Sequence, residues 1–97
     1  MKTLAEIRQT LRGLQPEIER RYGVKRLYLF GSYVRGDAKE ESDVDVLVEF
    51  RDVPDLLAFI ELEERLSKAL GIAVDLVPKR KLKPSLTQTI LQQAIAV

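Results

Sequence analysis

The 97-residue sequence predicts an α/β (α+β) fold in which a small mixed three-stranded sheet is flanked by about four helices. Apolar residues recur at helical spacing over residues 4–18 and 56–70. Three further apolar segments have the composition and length of strands: residues 24–30, 43–50 and 72–77. Glycine or proline stands at most junctions between these segments. The predicted order is α-β-α-β-α-β-α, and we expect residues 1–97 to form one domain.

The composition excludes several classes of protein. A hydrophobic share of 45% with 32% charged residues is typical of a globular chain. No apolar run approaches the roughly 20 residues that span a bilayer, and the first residues are too polar for a signal peptide. We therefore expect a cytoplasmic protein with no membrane partner. Cysteine and histidine are both absent, so metal or acid–base chemistry must use carboxylates, which favour Mg²⁺.

The charges are unevenly distributed along the chain. Residues 1–36 hold eight Lys or Arg against three Asp or Glu, whereas residues 37–78 hold four against twelve. Residues 79–97 hold four basic groups and no acidic ones. An acidic middle between basic ends does not suit a protein that coats nucleic acid, so we expect no direct nucleic-acid binding.

The first helix and the first strand follow from local patterns. The helix carries its apolar residues at steps of three and four: Leu4, Ile7, Leu11, Leu14 and Ile18. Pro16 falls inside this pattern and predicts a kink or a division, and Gly23 ends the helix. The strand 24–30 is β-branched and aromatic, although its basic pair interrupts the alternation, and Gly31 stops it.

The second half of the chain predicts a strand–helix–strand unit followed by a helix. Residues 43–50 alternate strictly, with Val44 and Val46 on one face and Asp43 and Asp45 on the other. Pro54 lies near the start of the next helix, for which we predict this apolar stripe: Leu56, Phe59, Ile60, Leu66 and Leu70. After the strand 72–77 comes a basic connector, Lys79–Lys83, and Pro84 opens the last helix.

The topology follows from connection rules. A strand–helix–strand unit over residues 43–77 should be a parallel, right-handed crossover. The first strand must bring its carboxyl end back to Asp43 through a 12-residue connector, so we expect it to pair antiparallel with the second strand.

Three aspartates on these strands indicate a metal site. Asp43 and Asp45 point the same way on one strand, with Cα atoms about 6.5–7 Å apart, and such close carboxylates repel unless a cation lies between them. Asp75 interrupts the neighbouring strand and supplies a third carboxylate, completing a ligand set for one or two Mg²⁺ ions. The alternative interpretation is a polar strand edge, with Asp75 facing solvent.

A glycine and a serine follow the first strand and suggest a phosphate site. Gly31 permits close approach of the backbone to a ligand, and the N–H groups and hydroxyl of a turn beginning at Ser32 would face the strand end. Arg35 adds a positive charge one turn later, and Gly36 allows a second bend. The alternative is an ordinary connection between elements.

These motifs together resemble those of a known family. Gly-Ser, then Arg-Gly three residues later, then Ser-Asp-x-Asp and a later strand aspartate are similar to the DNA polymerase β-type nucleotidyltransferase superfamily. The short length, the Gly-Ser-x-x-Arg-Gly form and the ending Leu82-Lys83-Pro84…Ile90-Leu91 resemble its minimal nucleotidyltransferases, the MNT or MntA-like antitoxins. The resemblance spans essentially the whole chain and implies the polymerase β-like nucleotidyltransferase fold.

The resemblance also implies roles for the motif residues. Gly31 and Ser32 would hold the β- and γ-phosphates of ATP, and Asp43 and Asp45 would bind two Mg²⁺ ions. Asp75 would bind the catalytic metal and act on the attacking hydroxyl. The nucleotide-binding set would be completed by Arg35, as a phosphate contact or as an ion-pair partner for the acidic loop, and by Gly36.

Relatives of this size imply a protein acceptor. The chain is too short for an acceptor domain, and the resemblance implies a hetero-oligomer with a HEPN-domain toxin, AMP being transferred from ATP to a tyrosine of that toxin. Tyr33 and the connector Lys79–Lys83 are candidates for partner contact, or else a packed aromatic and a solvated loop. Two alternatives remain open: an antitoxin that neutralises its partner by binding alone, and an adenylyltransferase of small molecules.

Overall fold

The structure is a computed structural model that describes residues 2–97. Its helices and strands follow the predicted order, with one additional short strand at the end. The elements are α1 (Leu4–Tyr22), β1 (Val24–Phe30), α2 (Ser32–Arg35), β2 (Val44–Phe50), α3 (Leu56–Leu70), β3 (Val74–Pro78), a 3₁₀ turn (Lys79–Lys81), α4 (Pro84–Gln93) and β4 (Ile95–Ala96). No helix within residues 2–97 combines the length and apolar character needed to cross a membrane.

The sheet is mixed, with strand order β3-β2-β1-β4. The predicted antiparallel pairing of β1 with β2 and parallel pairing of β2 with β3 are both confirmed. The prediction of three strands is wrong by one, because Ile95 and Ala96 add β4 antiparallel to β1. Two residues are too few to show a strand period in a sequence, so this strand becomes visible only through its pairing with Tyr28 and Leu29.

A bulge in β1 explains why its sequence does not alternate cleanly. Val24 pairs with Phe50 and Arg26 pairs with Glu49, so β1 advances two residues while β2 advances one. Lys25 is the extra residue, as in a β-bulge, and Val24 is thereby returned to the face that carries Leu27.

One face of the sheet carries the hydrophobic core. Alternate residues of each strand point to this face, and α1 and α3 pack against it and against each other. The strand members of the core are Val24, Leu27, Leu29, Val44, Val46, Val48, Val74 and Leu76. The helix members of the core include Ile7, Leu11, Ile18, Leu62, Leu66 and Leu70.

Helix α1 begins and ends at the signals present in the sequence. Thr3 accepts a hydrogen bond from the Glu6 N–H and the Glu6 side chain accepts one from the Thr3 N–H, which forms a capping box. Gly23 terminates the helix with φ 70°. Pro16 lies inside the helix without dividing it, so of the two predicted outcomes a division is excluded.

Helix α3 buries a stripe different from the one predicted. Asp55 caps it by accepting a hydrogen bond from the Ala58 N–H at 2.8 Å, so Pro54 precedes the cap instead of starting the helix. Leu62 is fully buried, whereas Leu56 is 71% and Ile60 is 41% exposed. The buried positions are Leu62, Leu66 and Leu70, spaced by four residues, and the first turn of the helix extends beyond the cover of the core.

An ion pair ties α3 to α1 at the edge of the core. Arg65 donates two hydrogen bonds to the Glu17 carboxylate, from Nε at 2.9 Å and from a terminal nitrogen at 3.1 Å. This paired geometry fixes the guanidinium plane, so the two helices are joined by directional contacts in addition to apolar packing.

The chain crosses the second face of the sheet between β3 and β4. These two strands lie at opposite edges of the sheet and run parallel to each other. Right-handed crossovers that travel in opposite directions place their helices on opposite faces, so α4 lies on the face that α1 and α3 leave open. Leu47, which points to this second face, is fully buried, but α4 itself has no fully buried residue.

The outer edge of β3 is closed by side chains of α3. The Val74 N–H donates to Ser67 Oγ at 3.0 Å, and the Leu76 N–H donates to Glu63 Oε2 at 2.9 Å. Pro78, the next outward-facing residue, has no N–H to donate.

Candidate active site

The predicted phosphate-binding turn joins β1 to α2. Gly31 adopts φ 79° and ψ −152°, a backbone conformation that is essentially restricted to glycine. Its carbonyl accepts hydrogen bonds from the N–H groups of Val34 at 3.1 Å and Arg35 at 3.0 Å. The N–H of Ser32 lies in the first turn of α2, where no intrahelical acceptor exists, so this turn presents donors at the end of β1.

The same glycine lies directly against a predicted metal ligand. A Cβ atom at Gly31 would collide with Oδ2 of Asp45 and lie 2.9 Å from its Cγ. Glycine is therefore required here twice, by its backbone conformation and by the space that the carboxylate occupies. The turn and the carboxylate form one continuous surface.

The three aspartates lie near the amino-terminal ends of β2 and β3, at one end of the sheet. Asp45 pairs with Phe30 on one side and with Asp75 on the other, so residues of three strands form one row. Neighbouring strands lie about 4.8 Å apart, and paired residues point to the same face. Asp43 was predicted to begin the strand, but β2 begins at Val44, which places Asp43 just before it.

The electrostatics of Asp45 reflect this crowding. Burial raises the pKa of the half-buried Asp45 carboxyl above its usual value, and the neighbouring charges of Asp75 and Asp43 raise it further. Arg35 acts in the opposite direction and lowers it. The negative charge of Asp45 is therefore unfavourable in this setting, and a bound cation would relieve it.

The residues present fit a hard divalent cation by chemistry and placement. In residues 2–97, no three acidic side chains converge closely enough to enclose an ion as they stand. Their backbone positions are nevertheless adjacent, and Asp43 and Asp75 are exposed and free to turn toward Asp45. Oxygen ligands from adjacent strands are the donor set that Mg²⁺ prefers.

Arg35 and Gly36 lie on the solvent side of the turn. Arg35 is exposed, and its Nε donates to Asp37 Oδ2 at 3.3 Å, so it does pair with the acidic loop. Gly36 ends α2 with φ 85° and donates its N–H to the Ser32 carbonyl at 2.9 Å. A Cβ at Gly36 would meet open space, so this glycine serves the bend and no close packing.

Some features near the site were not visible in the sequence. Phe30 shares the row of Asp45 and Asp75, and only the strand register shows this. Tyr33, considered for partner contact, is only 7% exposed and belongs to the core cluster, so it packs as an aromatic residue. The Glu49 carboxylate lies between the Nζ atoms of Lys25 and Lys79, each at 3.5 Å. Lys25 is the extra residue of the β1 bulge.

Comparison with known proteins assigns this arrangement of turn and carboxylates to a family. The family described as the nucleotidyltransferase domain matches residues 11–97, which include the turn and all three aspartates. The chain belongs to the nucleotidyltransferase family. The predicted enzyme class is thereby confirmed.

Two relatives match this chain over nearly the whole length of both proteins. This nucleotidyltransferase is 50% identical over its 97 residues to the protein adenylyltransferase MntA of Thermococcus cleftensis, and the match covers 98% of that protein. It superposes on a solved minimal nucleotidyltransferase with TM-score 0.85 and 35% identity, covering 99% of this chain and 97% of that one. The predicted fold class and the resemblance to minimal nucleotidyltransferases are both confirmed.

A third match comes from a complex. The structure of a tri-AMPylated Shewanella oneidensis HEPN toxin with MNT antitoxin contains a chain that matches with TM-score 0.67 and 27% identity. The match covers 93% of this nucleotidyltransferase and 70% of that chain.

Proposed function

We propose that this nucleotidyltransferase transfers AMP from ATP to a tyrosine hydroxyl of a HEPN-domain toxin and thereby acts as its antitoxin. One observation carries the proposal: Asp45 and Asp75 are paired side by side on adjacent strands, and the Gly31 backbone lies against the Asp45 carboxylate. Residues 1–97 act in this proposal as one minimal domain in the cytoplasm.

The carboxylates supply the metal site of this proposal. Asp43 and Asp45 would hold two Mg²⁺ ions, and Asp75 would share the ion nearer to the acceptor. When bound, Mg²⁺ neutralises charge on the phosphates and lowers the pKa of a bound hydroxyl. The raised pKa of Asp45, caused by burial, Asp75 and Asp43, supports a site built to receive positive charge.

The turn supplies the phosphate contacts. Backbone N–H groups at Gly31 and Ser32 and the Ser32 hydroxyl would donate to the β- and γ-phosphate oxygens. Arg35 already points into the acidic loop and lowers the pKa of Asp45, so its charge reaches the region that the phosphates would occupy. Gly36 gives the bend that returns the chain toward Asp43.

The reaction is an in-line substitution at the α-phosphorus. The tyrosine oxygen forms a bond to that phosphorus, the bond to the bridging oxygen of the β-phosphate breaks, and pyrophosphate leaves with the electron pair. Asp75 is exposed beside the site and accepts the proton that the hydroxyl loses. The chain positions both reactants, which is the main contribution that a protein makes to this reaction.

The relatives support the acceptor and the partner. The Thermococcus cleftensis relative is named a protein adenylyltransferase, and the Shewanella oneidensis complex pairs an MNT antitoxin with a HEPN toxin that carries three AMP groups. We extend both properties to this chain, including transfer of more than one AMP to the same partner.

The test combines the chain with ATP, Mg²⁺ and its HEPN partner and measures the mass of the partner. One or more adenylyl groups should appear with the wild type and disappear with Asp43→Asn/Asp45→Asn, while Glu41→Gln, an exposed carboxylate of the same loop, should leave the mass gain intact. Neutralisation of the toxin without any mass gain, equal in wild type and variant, would instead establish an antitoxin that acts by binding alone. A mass gain on a small-molecule hydroxyl only would move the acceptor to that class.

A further inference from the structure

A cleft of about 600 Å³ opens between the end of β2 and the segment that leads into α4. We call it the α4 cleft. Its walls are mostly apolar, and the residues that line it include Phe50, Val53, Lys79, Arg80, Leu82 and Leu91. None of these residues belongs to the proposed catalytic set.

The α4 cleft opens at the end of β2 and reaches the face of the sheet that carries the aspartates. Glu49, which lines the cleft, is four residues along β2 from Asp45, so both side chains point to this face. Four residues of strand span about 13 Å. The fully buried Leu47 separates the two, so the cleft is a neighbouring surface and not an extension of the row of carboxylates.

Apolar surface in and around the cleft is left uncovered. Helix α4 has no fully buried residue, although its sequence is amphipathic. Val53 is 57% exposed inside the cleft. Uncovered apolar surface in a cleft is typical of a site that another protein covers.

The charge at the cleft is positive. Its one carboxylate, Glu49, is matched by Lys25 and Lys79, each at 3.5 Å. Arg80 is exposed at the rim, and Lys81 and Lys83 are exposed beside it in the chain. The unmatched basic groups complement a partner surface that carries carboxylates.

We infer that the α4 cleft docks a helix of the partner protein whose apolar side is flanked by acidic residues. An amphipathic helix in an apolar groove is a common mode of recognition, and this groove has the matching combination of apolar walls and a basic rim. The inference rests on the proposed function, because that function requires a partner protein that brings the acceptor hydroxyl to the site.

The docking geometry fits the proposed reaction. A helix held in the cleft lies about 13 Å from the Asp45 position, which an extended segment of about four residues spans. The partner would thus be anchored at the cleft while a flexible segment carries its hydroxyl along the sheet face. Anchoring at a distance also allows several hydroxyls of one segment to reach the same site.

The main competing surface lies at the start of α3. Leu57 is 79% exposed there, next to Leu56 and Ile60, and its neighbours Glu61 and Glu64 are acidic. A partner seated on that patch would need a basic face, the opposite of the one inferred for the cleft. Leu57 therefore provides a matched control for a substitution in the cleft.

The experiment measures the affinity of the full chain for its purified HEPN partner, together with affinity for ATP and Mg²⁺, by calorimetry. Val53→Glu should weaken partner binding about tenfold or more, because it places a charge in the apolar wall beside acidic partner groups. Val53→Lys should weaken it less, and Arg80→Glu should weaken it with a smaller dependence on salt than the wild type. Leu57→Glu should bind as the wild type, and all four variants should bind ATP normally and keep the wild-type circular dichroism spectrum.

Three results would overturn the inference. Loss of partner binding in Leu57→Glu but not in Val53→Glu would place the partner on α3. A larger loss in Val53→Lys than in Val53→Glu would show that the partner face is basic. Weaker ATP binding with unchanged partner binding would assign the cleft to the nucleotide. If the partner binds as expected but gains no AMP, the proposed function fails while the docking surface stands.

Discussion

The face of the sheet covered by α1 and α3 and the face crossed by α4 are built from alternate residues of the same strands. On the first face, the strand residues from Val44 to Leu76 that point inward are all buried in one apolar cluster. On the second face, the same strands present Asp45, Asp75 and Glu49, and its covering helix has no fully buried residue. The two faces of this small sheet therefore differ: one carries the hydrophobic core, and the other carries the carboxylates of the proposed active site.

The largest expected effect is a loss of activity without a loss of stability, caused by a substitution on the face of the sheet that carries the aspartates. Asp75→Asn should lower the rate of AMP transfer about a thousandfold or more, because in the proposed mechanism Asp75 acts on the attacking hydroxyl and binds the metal. Since Asp75 is exposed, the free energy of unfolding should change by no more than about 0.5 kcal/mol. Transfer of labelled AMP and urea unfolding measure the two quantities, with Glu64→Gln as the matched carboxylate on the other side of the sheet. A normal rate would remove Asp75 from the site.

The reverse experiment destabilises the hydrophobic core on the face of the sheet that α1 and α3 cover. Leu66→Ala should lower the free energy of unfolding by about 2–5 kcal/mol, because Leu66 is fully buried and the substitution leaves a cavity. Leu57→Ala, on the same helix but 79% exposed, should cost less than about 0.5 kcal/mol. Both are measured by urea denaturation. Equal costs for the two would contradict the assignment of the buried stripe of α3.

Gly31 follows β1 directly and its backbone lies against the Asp45 carboxylate, so its substitution should affect both stability and AMP transfer. Gly31→Ala should cost about 1–3 kcal/mol of stability, because its backbone conformation suits glycine only, and should displace the Asp45 carboxylate. AMP transfer should fall as well.

Gly13→Ala is the control for that substitution. It lies inside α1 with open space around its Cα, so the alanine should raise stability by about 0.5–1 kcal/mol. Chemical denaturation and the transfer assay measure both variants. A Gly31→Ala protein as active and stable as the wild type would show that the contact with Asp45 is dispensable.

A smaller effect concerns the charge of Asp45 in the metal-free protein. Burial and the charges of Asp75 and Asp43 raise its pKa in the folded protein. Ionisation of Asp45 therefore opposes folding, and stability falls as the pH rises from the ordinary pKa of an aspartate through the raised one. Asp45→Asn should therefore be more stable than the wild type at pH 7, and the gain should shrink under acid conditions. Thermal unfolding with a chelator present, over a series of pH values, tests this. A loss of stability at pH 7 would show that the carboxylate is held by favourable contacts.

The smallest expected effect is a pH dependence of stability with the opposite sign, and it comes from the ion pair between α1 and α3. The hydrogen bond from Arg65 lowers the pKa of Glu17 below its ordinary value of 4.5, although burial opposes this. The stabilisation is thus present above pH 4.5 and is lost as the pH falls through the lowered pKa. Glu17→Gln should reduce the acid sensitivity of unfolding, whereas Glu64→Gln should not. An unchanged pH profile for Glu17→Gln would show that the pair contributes little.

The sequence predicted the features that depend on short periods and on connection rules. The pairings of β1, β2 and β3 follow from alternation and from the handed crossover, and with them the meeting of Asp45 with Asp75. It failed where burial depends on distant parts of the chain. The pattern of α3 contains apolar residues on two flanks, and only the position of the sheet decides that Leu62 is buried and Leu56 is not.

The candidate site shows the same division. Motif spacing placed Gly31, Ser32 and the aspartates at one edge, and the structure brings them together there. The contact between Gly31 and the Asp45 carboxylate depends on strand register to within one residue, and the α4 cleft depends on how the last helix crosses the sheet. Neither has a local signature, because each joins segments far apart in the chain.

The hydrogen bonds from Val74 to Ser67 and from Leu76 to Glu63 have a consequence for assembly. An outer strand with free N–H groups can recruit a strand from another molecule, which leads to fibres or mispaired complexes. Here those donors are already occupied by the crossing helix, and Pro78 offers none at the next position. The strand that carries Asp75 is therefore closed to sheet extension, so the proposed partner protein would reach this aspartate across the face of the sheet and not by adding a strand beside β3.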